Sequence, residues 1–241
     1  MNELSIIIPC LSSVEMLPQF IDELLVSLMS NPSDVDVILV ANGGVSGISH
    51  IVHYVHKNYP WLKFEVFQRK NSSKNYGALV RLGLAYSTSR YAVLVSPYRE
   101  DDVTLIFSML NKIRTGCQVV QATRYAYPKD TKRVQLRFRV YQFVYRSLTR
   151  ILLAFQISDS TYAFKMFDRL FIQALGLTQN GYSICPEIAL KTLLAGGRVE
   201  YISSKYETAA INKDFKLLKE GFGYFWLLIR GFGHRIGIAW F

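Results

Sequence analysis

Apolar residues in this chain fall into short continuous runs separated by longer stretches with helical spacing. Leu4–Pro9 (LSIIIP), Asp36–Val40 (DVILV) and Tyr91–Val95 (YAVLV) are compact and rich in β-branched residues. That is the pattern of strands covered on both faces. Lys63–Gln68 (KFEVFQ) and Gln118–Ala122 (QVVQA) read as further strands. Between them, Met16–Met29, Ile48–Lys57, Tyr76–Ser87 and Val103–Thr115 carry apolar residues three and four apart, which predicts helices. Gly77 and Gly83 allow the third of these to pack closely on its neighbours. Turn signals follow two of the strands, at Ala41-Asn42-Gly43-Gly44 and at Ser96-Pro97-Tyr98.

Strands alternating with helices at this spacing predict an α/β fold with a doubly wound, mostly parallel sheet flanked by helices. In such sheets ligands bind beyond the carboxyl ends of the strands. That rule gathers Pro9–Ser13, Ala41–Gly44, Ser96–Asp102 and Thr123–Tyr125 around one crevice. With no internal repeat and no low-complexity linker, the expected organisation is one domain over residues 1–220, followed by a distinct C-terminal segment, 221–241.

From Lys132 onward the character changes. Lys132, Arg133, Arg137, Arg139, Arg146 and Arg150 punctuate a long amphipathic helix expected to run to Phe155. Arg139, Arg146 and Arg150 share a face, and Val140, Phe143, Val144, Leu148, Ile151 and Leu152 form an apolar one. Gly221–Phe241 is dense in Phe, Trp, Tyr and Gly, with Arg230, His234 and Arg235 its only basic residues. This aromatic tail suits a membrane interface or, equally, a core-packing tail against the sheet or another subunit.

With half of its 241 residues apolar and 14% aromatic, the chain can bury a large core, which excludes wholesale disorder. The net charge of +10 fits a phosphate-bearing substrate, an anionic membrane surface, nucleic acid, or a basic surface that merely keeps the protein soluble. No nucleic-acid motif is present, and the basic residues are diluted by core-type positions, so nucleic acid is not expected. Cys10, Cys117 and Cys185 are odd in number and widely spaced, which fits a reducing compartment. The first nine residues enter a strand directly, without the pattern of a secretory signal. The expected address is therefore the cytoplasm, at the inner membrane face if the tail docks there. His50, His53 and His56 share a helix side that has metal-binding spacing but no carboxylate or cysteine to join it, so a solvated face is expected.

The order of LSIIIP, DVILVANGG and YGALVRLGLAYSTSRYAVLV, continued by VVQATRY, ISDSTYAFKMF, GYSICPEI and AGGRVEYISSKY, resembles glycosyltransferase family 2. The likeness is greatest to the polyprenyl-phosphate (dolichyl-phosphate) mannosyl- and glucosyltransferase branch. Gly77–Gly83 is similar to that branch's GAALRxG helix start, Ser158–Phe164 to its SDPTSGF, and Gly181-Tyr182-Ser183 with Glu187 to its GYSFxxE. The resemblance implies a GT-A fold that moves a sugar from a nucleotide-diphosphate sugar to a polyprenyl phosphate or glycan acceptor in cell-surface polysaccharide synthesis. It places the donor against Pro9, Ser12, Asn42, Gly77, Ser96 and Tyr98, with Lys213 and Lys216 on a loop closing over the diphosphate. Arg124, Arg139 and Asp159 take the catalytic positions, the arginines meeting phosphate and Asp159 positioning the acceptor or closing a turn at Ser160.

The chain departs from this family where carboxylates normally stand. The family's Asp-x-Asp falls on Ser96-Pro97-Tyr98, its Asp-Asp-Gly-Ser on Ala41–Gly44, and its Tyr-Asn-Glu on Leu11-Ser12-Ser13. No metal is therefore expected at the Asp-x-Asp position. Mg²⁺ or Mn²⁺ enters only through Glu100, which together with Asp101 and Asp102 either rebuilds an ion site or caps the following helix. Glu187 is carried over with a helix-start role as its alternative. Loss of the donor-site acids leaves a second function open, that of a catalytically inactive subunit binding or scaffolding another enzyme. A homo- or hetero-oligomer is compatible with either.

Overall fold

Every residue of two strands, Leu4–Cys10 (β1) and Val35–Ala41 (β2), is buried, because both run through the middle of a sheet covered on its two faces. The computed structural model describes residues 2–12, 14–28, 35–70, 73, 75–98, 101–126, 134–159, 161–204, 217–238 and 241. The remaining strands are Lys63–Gln68 (β3), Tyr91–Leu94 (β4), Val119–Thr123 (β5), Lys165–Asp168 (β6) and Val199–Ser203 (β7). They form one sheet in the order β3-β2-β1-β4-β6-β5-β7. All pairings are parallel except those of β6, which runs antiparallel to both β4 and β5. The expected mostly parallel α/β sheet is present. The antiparallel insertion brings the chain before β6 to the same sheet edge as the ends of β1, β2, β4 and β5.

Helices cover both faces. Leu17–Leu28 (α1), Ile48–Asn58 (α2) and Ile106–Ile113 (α4) close one side over Ile6, Ile8, Val37, Leu39 and Val93. Tyr76–Tyr86 (α3), Arg169–Ala174 (α6) and Ile184–Leu194 (α7) close the other over Ile7, Ile38, Val40 and Leu94. The alternation of Ile6, Ile7 and Ile8 between these two cores is the period-two geometry of a strand. Gly83 lets α3 settle onto the sheet, since a Cβ there would stand 2.4 Å from Ile7 Cγ2.

Two helices differ from expectation. The stretch predicted as one helix from Val103 opens as a 3-10 turn, Val103–Leu105, before α4 begins. The basic helix is Leu136–Leu153 (α5), closed by Ala154 in a left-handed conformation. It packs with Leu217–Arg235 (α8) and α7 around a third core of Tyr145, Leu153, Tyr224, Leu227 and Leu228. The aromatic segment from Gly221 thus belongs to a helix with one face buried against the domain.

Candidate active site

β1 pairs with β2 on one side and β4 on the other, and the chain leaves its two neighbours in opposite directions, so a crevice opens beyond their carboxyl ends. Pro9 is the penultimate residue of β1. Its imide nitrogen falls on the β4 side, past Leu94, where β4 has ended and no ladder bond is lost. Beyond it, Ser12 Oγ and the Tyr98 hydroxyl lie 3.0 Å apart, bridging the ends of β1 and β4. Asn42 is buried just after β2; its amide donates to the Cys10 carbonyl at 2.9 Å, and its own carbonyl accepts from Val45 N at 3.2 Å. Ser12, Asn42, Ser96 and Tyr98 therefore share one sheet edge.

At the end of β4 the chain turns back so that Ser96 N donates to Asp101 Oδ2 at 2.6 Å. The Tyr162 hydroxyl hydrogen-bonds the same carboxylate. Burial pushes the Asp101 carboxyl up to about 6, against the opposing pull of the Ser96 and Tyr162 hydrogen bonds and the Arg124 and Lys165 charges. Asp102 occupies the N-cap position of the 3-10 turn, but its side chain accepts from Thr104 Oγ1 and makes no cap bond to the backbone. Among the described residues no group of three or more His, Cys, Asp or Glu side chains comes together. Glu100 lies outside the described residues. Among the described residues the carboxylates following β4 are Asp101 and Asp102, the second engaged by Thr104, and these donors do not by themselves make the oxygen cage a hard divalent ion needs.

Arg124, the first residue after β5, is clasped by Asp159. Its Nε donates to Asp159 Oδ2 at 2.7 Å and its Nη2 to Oδ1 at 2.9 Å, a bidentate fork with the carboxylate fully buried. Asp159 also accepts from Gln142 Nε2 at 3.0 Å and from the backbone amides of Thr161 and Tyr162 at 3.3 and 3.2 Å. Asp159 thus accepts from the amides of the following turn and holds Arg124 at the same time. Burial alone would raise the Asp159 carboxyl, but the Arg124 charge and hydrogen bonds outweigh it and hold the pKa below the ordinary value. Burial likewise works against the Arg124 charge, and Asp159 reverses it, so the guanidinium stays protonated. Arg124 also donates to Thr161 Oγ1 at 2.7 Å and lies 4.6 Å from the centroid of the Tyr162 ring. Lys165, wholly buried on β6, donates from Nζ to the Tyr162 carbonyl, and its pKa is lowered chiefly by burial.

Gly77, carried over as a donor contact, packs in the structure against the loop before α7. Its amide donates to the Asn180 carbonyl at 2.7 Å, so the start of α3 presses on residues 179–181. Arg81 reinforces that contact through the Gln179 carbonyl and through Asn180 Oδ1 at 2.7 Å. Glu187, fully buried in the first turn of α7, holds the same loop by accepting from Thr178 N and Gln179 N at 2.8 and 2.9 Å. It also pairs with Lys191 at 3.3 Å. Arg139 stands one turn before Gln142 on α5 and, among the described residues, makes no ion pair with its side chain. Lys213 and Lys216 lie outside the described residues. His50, His53 and His56 are exposed on α2.

The sequence profile of Glycosyl transferase family 2 matches residues 5–176, well over half of the chain. The chain belongs to glycosyl transferase family 2. Its fold is similar to crystal structures of glucosyl-3-phosphoglycerate synthase from Mycobacterium tuberculosis. One, in complex with Mn²⁺, uridine diphosphate and phosphoglyceric acid, aligns at a TM-score of 0.68 with 15% identity, over 99% of this chain and 80% of that one. Another, with Mn²⁺, uridine diphosphate and glucosyl-3-phosphoglycerate, aligns at 0.69 with 15% identity, over 99% and 81%. No curated protein matches the sequence.

Within this family 2 domain, one polar chain links two strand ends: Ser96 to Asp101, Asp101 to Tyr162, Tyr162 against Arg124, and Arg124 to Asp159. Three members of the cluster escaped sequence reasoning. Gln142 shares the buried stripe of α5 with Tyr145, Thr149 and Leu153, and an amide at that spacing was its available signal. Thr161 and Tyr162 sit inside a quoted motif, but nothing local to the sequence pairs them with Arg124 or Asp101.

Proposed function

We propose that this family 2 domain transfers a sugar from a nucleotide-diphosphate sugar to a polyprenyl phosphate or glycan acceptor in cell-surface polysaccharide synthesis. The observation that carries this reading is the Arg124 guanidinium, fixed by a bidentate Asp159 at the strand-end crevice. Family membership and likeness to structures holding uridine diphosphate and a phosphorylated acceptor support it.

In this reaction an acceptor oxygen forms a bond to the anomeric carbon as the bond to the diphosphate breaks, and the nucleoside diphosphate leaves with both electrons. A phosphate acceptor attacks as an anion and needs no base. The leaving diphosphate gathers negative charge, which fixed cations stabilise. Asp159, Gln142 and Thr161 set the orientation of Arg124 before substrate arrives, so little reorganisation accompanies the reaction. Arg139, one turn from Gln142, is assigned to the acceptor phosphate, and Lys213 and Lys216 to the diphosphate. The described carboxylates after β4, Asp101 and Asp102, join no cluster that could hold a divalent ion, so no step is routed through one.

One observation favours the second reading, an inactive binding or scaffolding subunit. The Ser12–Tyr98 hydrogen bond spans the crevice where acids are expected in the family. Calorimetry with UDP- and GDP-sugars, with and without Mn²⁺, followed by transfer assays into polyprenyl phosphate, separates the two. Donor binding with turnover is expected; failure of every nucleotide to bind would assign the chain to scaffolding.

A further inference from the structure

The helices α5 and α8 lie side by side and run in the same direction. Tyr141 meets Phe225 edge-on at 6.3 Å near their starts, and Arg235 Nη1 donates to the Leu152 carbonyl at 3.3 Å near their ends. Between these points Gly231 lets Leu153 approach, a Cβ there standing 3.4 Å from its Cδ1. Tyr145 and Tyr224 turn inward and are fully buried.

The opposite faces carry large apolar side chains that are exposed among the described residues. Val140, Phe143 and Ile151 fall within one 100° stripe of α5, and Phe143 and Ile151 are 71% and 75% exposed. Phe222, Trp226 and Ile229 fall within one stripe of α8, with Phe222 79% exposed. The Tyr141–Phe225 contact lies at the seam between the two helices. Soluble surfaces rarely expose so many bulky groups contiguously without a partner.

Charge identifies the partner. Arg137, Arg146 and Arg150 are exposed beside the α5 stripe. Neither 136–153 nor 221–238 contains an Asp or Glu. Glu220, just before the second of these stretches, points inward to Tyr182 N at 2.9 Å. We propose that the paired faces of α5 and α8 dock this domain on an anionic lipid bilayer, apolar side chains in the interfacial region and arginines at the headgroups. A second copy meeting this face about a two-fold axis would set the arginines of one protomer against those of the other, a repulsion an anionic surface turns into attraction. Among the described residues no helix is long and apolar enough to cross a membrane, so the pair lies on the surface. This inference does not depend on sugar transfer.

The full chain is sedimented with vesicles of phosphatidylglycerol and phosphatidylcholine, and with phosphatidylcholine alone. Binding is expected to the anionic vesicles and to weaken with added salt. The triple variant Phe143→Ser, Phe222→Ser, Ile229→Ser should lose about a hundredfold or more, at about fivefold or greater per bulky apolar group. Arg146→Gln with Arg150→Gln should lose roughly fivefold per charge. These side chains are exposed, so thermal unfolding should be unchanged, and a variant that unfolds early is replaced by its single substitutions. Wild type left in the supernatant with anionic vesicles, or variants that bind equally, would overturn the proposal. A dimer by analytical ultracentrifugation that the triple variant dissociates would overturn it in favour of a second copy.

Discussion

The backbone at Gly77 rests on the carbonyl oxygen of Gln179: a Cβ at position 77 would stand 2.3 Å from that oxygen and 2.9 Å from the carbonyl oxygen of Gly181. Both obstacles are backbone, so they cannot rotate aside. Gly77→Ala should therefore force α3 and the 179–181 loop apart and destabilise the fold by about 1–3 kcal/mol. Denaturant titration should show a lower midpoint with an unchanged slope. If Gly77 instead serves the donor directly, nucleotide affinity will fall while the midpoint holds.

Truncating Arg124 leaves the Asp159 carboxylate buried without its cation. Arg124→Ala should cost about 3–5 kcal/mol, the range for breaking a buried pair from one side, and abolish nucleotide binding by calorimetry. Arg124→Lys keeps a charge but loses the two-pronged contact, so it should retain part of the stability and little of the affinity. The pair also sets a pH dependence. Asp159 titrates lower in the fold than in the unfolded chain, so its stabilisation is complete above the ordinary carboxylate range and is lost as pH falls from that range through the lowered folded value. Asp159→Asn should flatten that acid limb of a stability–pH profile. An unchanged limb would place the titration elsewhere.

Glu187 offers a test of a buried charge with a structural task. It holds the 178–179 amides and faces Lys191, whose Nζ also donates to the Gly176 carbonyl at 2.8 Å. Glu187→Ala strands a buried ammonium and several donors, so a loss of about 3–5 kcal/mol is expected. Glu187→Gln retains an acceptor for the amides and should lose less. Chemical unfolding of the two variants checks the order. Loss of turnover at full stability would instead give Glu187 a role in the reaction.

The strands β1, β2 and β4 were legible because burial on both faces makes them uninterrupted apolar runs. β6 was not, since KMFD is four residues long, places a charged Lys165 in the core, and ends at Asp168, whose carboxylate caps α6 by accepting from Phe171 N. α7 hid for the converse reason. It is buried on nearly all sides, and Glu187 and Lys191 neutralise each other inside, so no polar stripe marks a helical period. At the site, Arg124 and Asp159 could each be singled out from motif order, but the ion pair between them spans 35 positions and exists only because β6 reverses the sheet direction. Asp101 could be named as one of three neighbouring acids. Its turn back to Ser96 depends on the geometry after β4 and not on residue type.

That turn yields a pH prediction of opposite sign to the one for Asp159. The Asp101 carboxyl is pushed up to about 6 by burial, above its value in an unfolded chain, so the folded protein binds its proton more tightly. Its ionisation is therefore neutral to stability in acid and becomes progressively unfavourable as pH rises from about 4 to about 6. The cost above that window is at most about 3 kcal/mol, from roughly two units at 1.36 kcal/mol each. Asp101→Asn keeps an oxygen to accept from Ser96 N but carries no charge. The variant should match or fall below the wild type at pH 4 and gain on it through pH 6.5 in thermal unfolding. Adding Mn²⁺ to the wild type at pH 7 provides the companion measurement: a cation recruited by Asp101, with Glu100 beside it, would remove the deficit and raise the melting temperature of the wild type but not of the variant. Parallel stability–pH curves for the two proteins would show that the carboxyl titrates in its ordinary range, facing water and not the crevice interior.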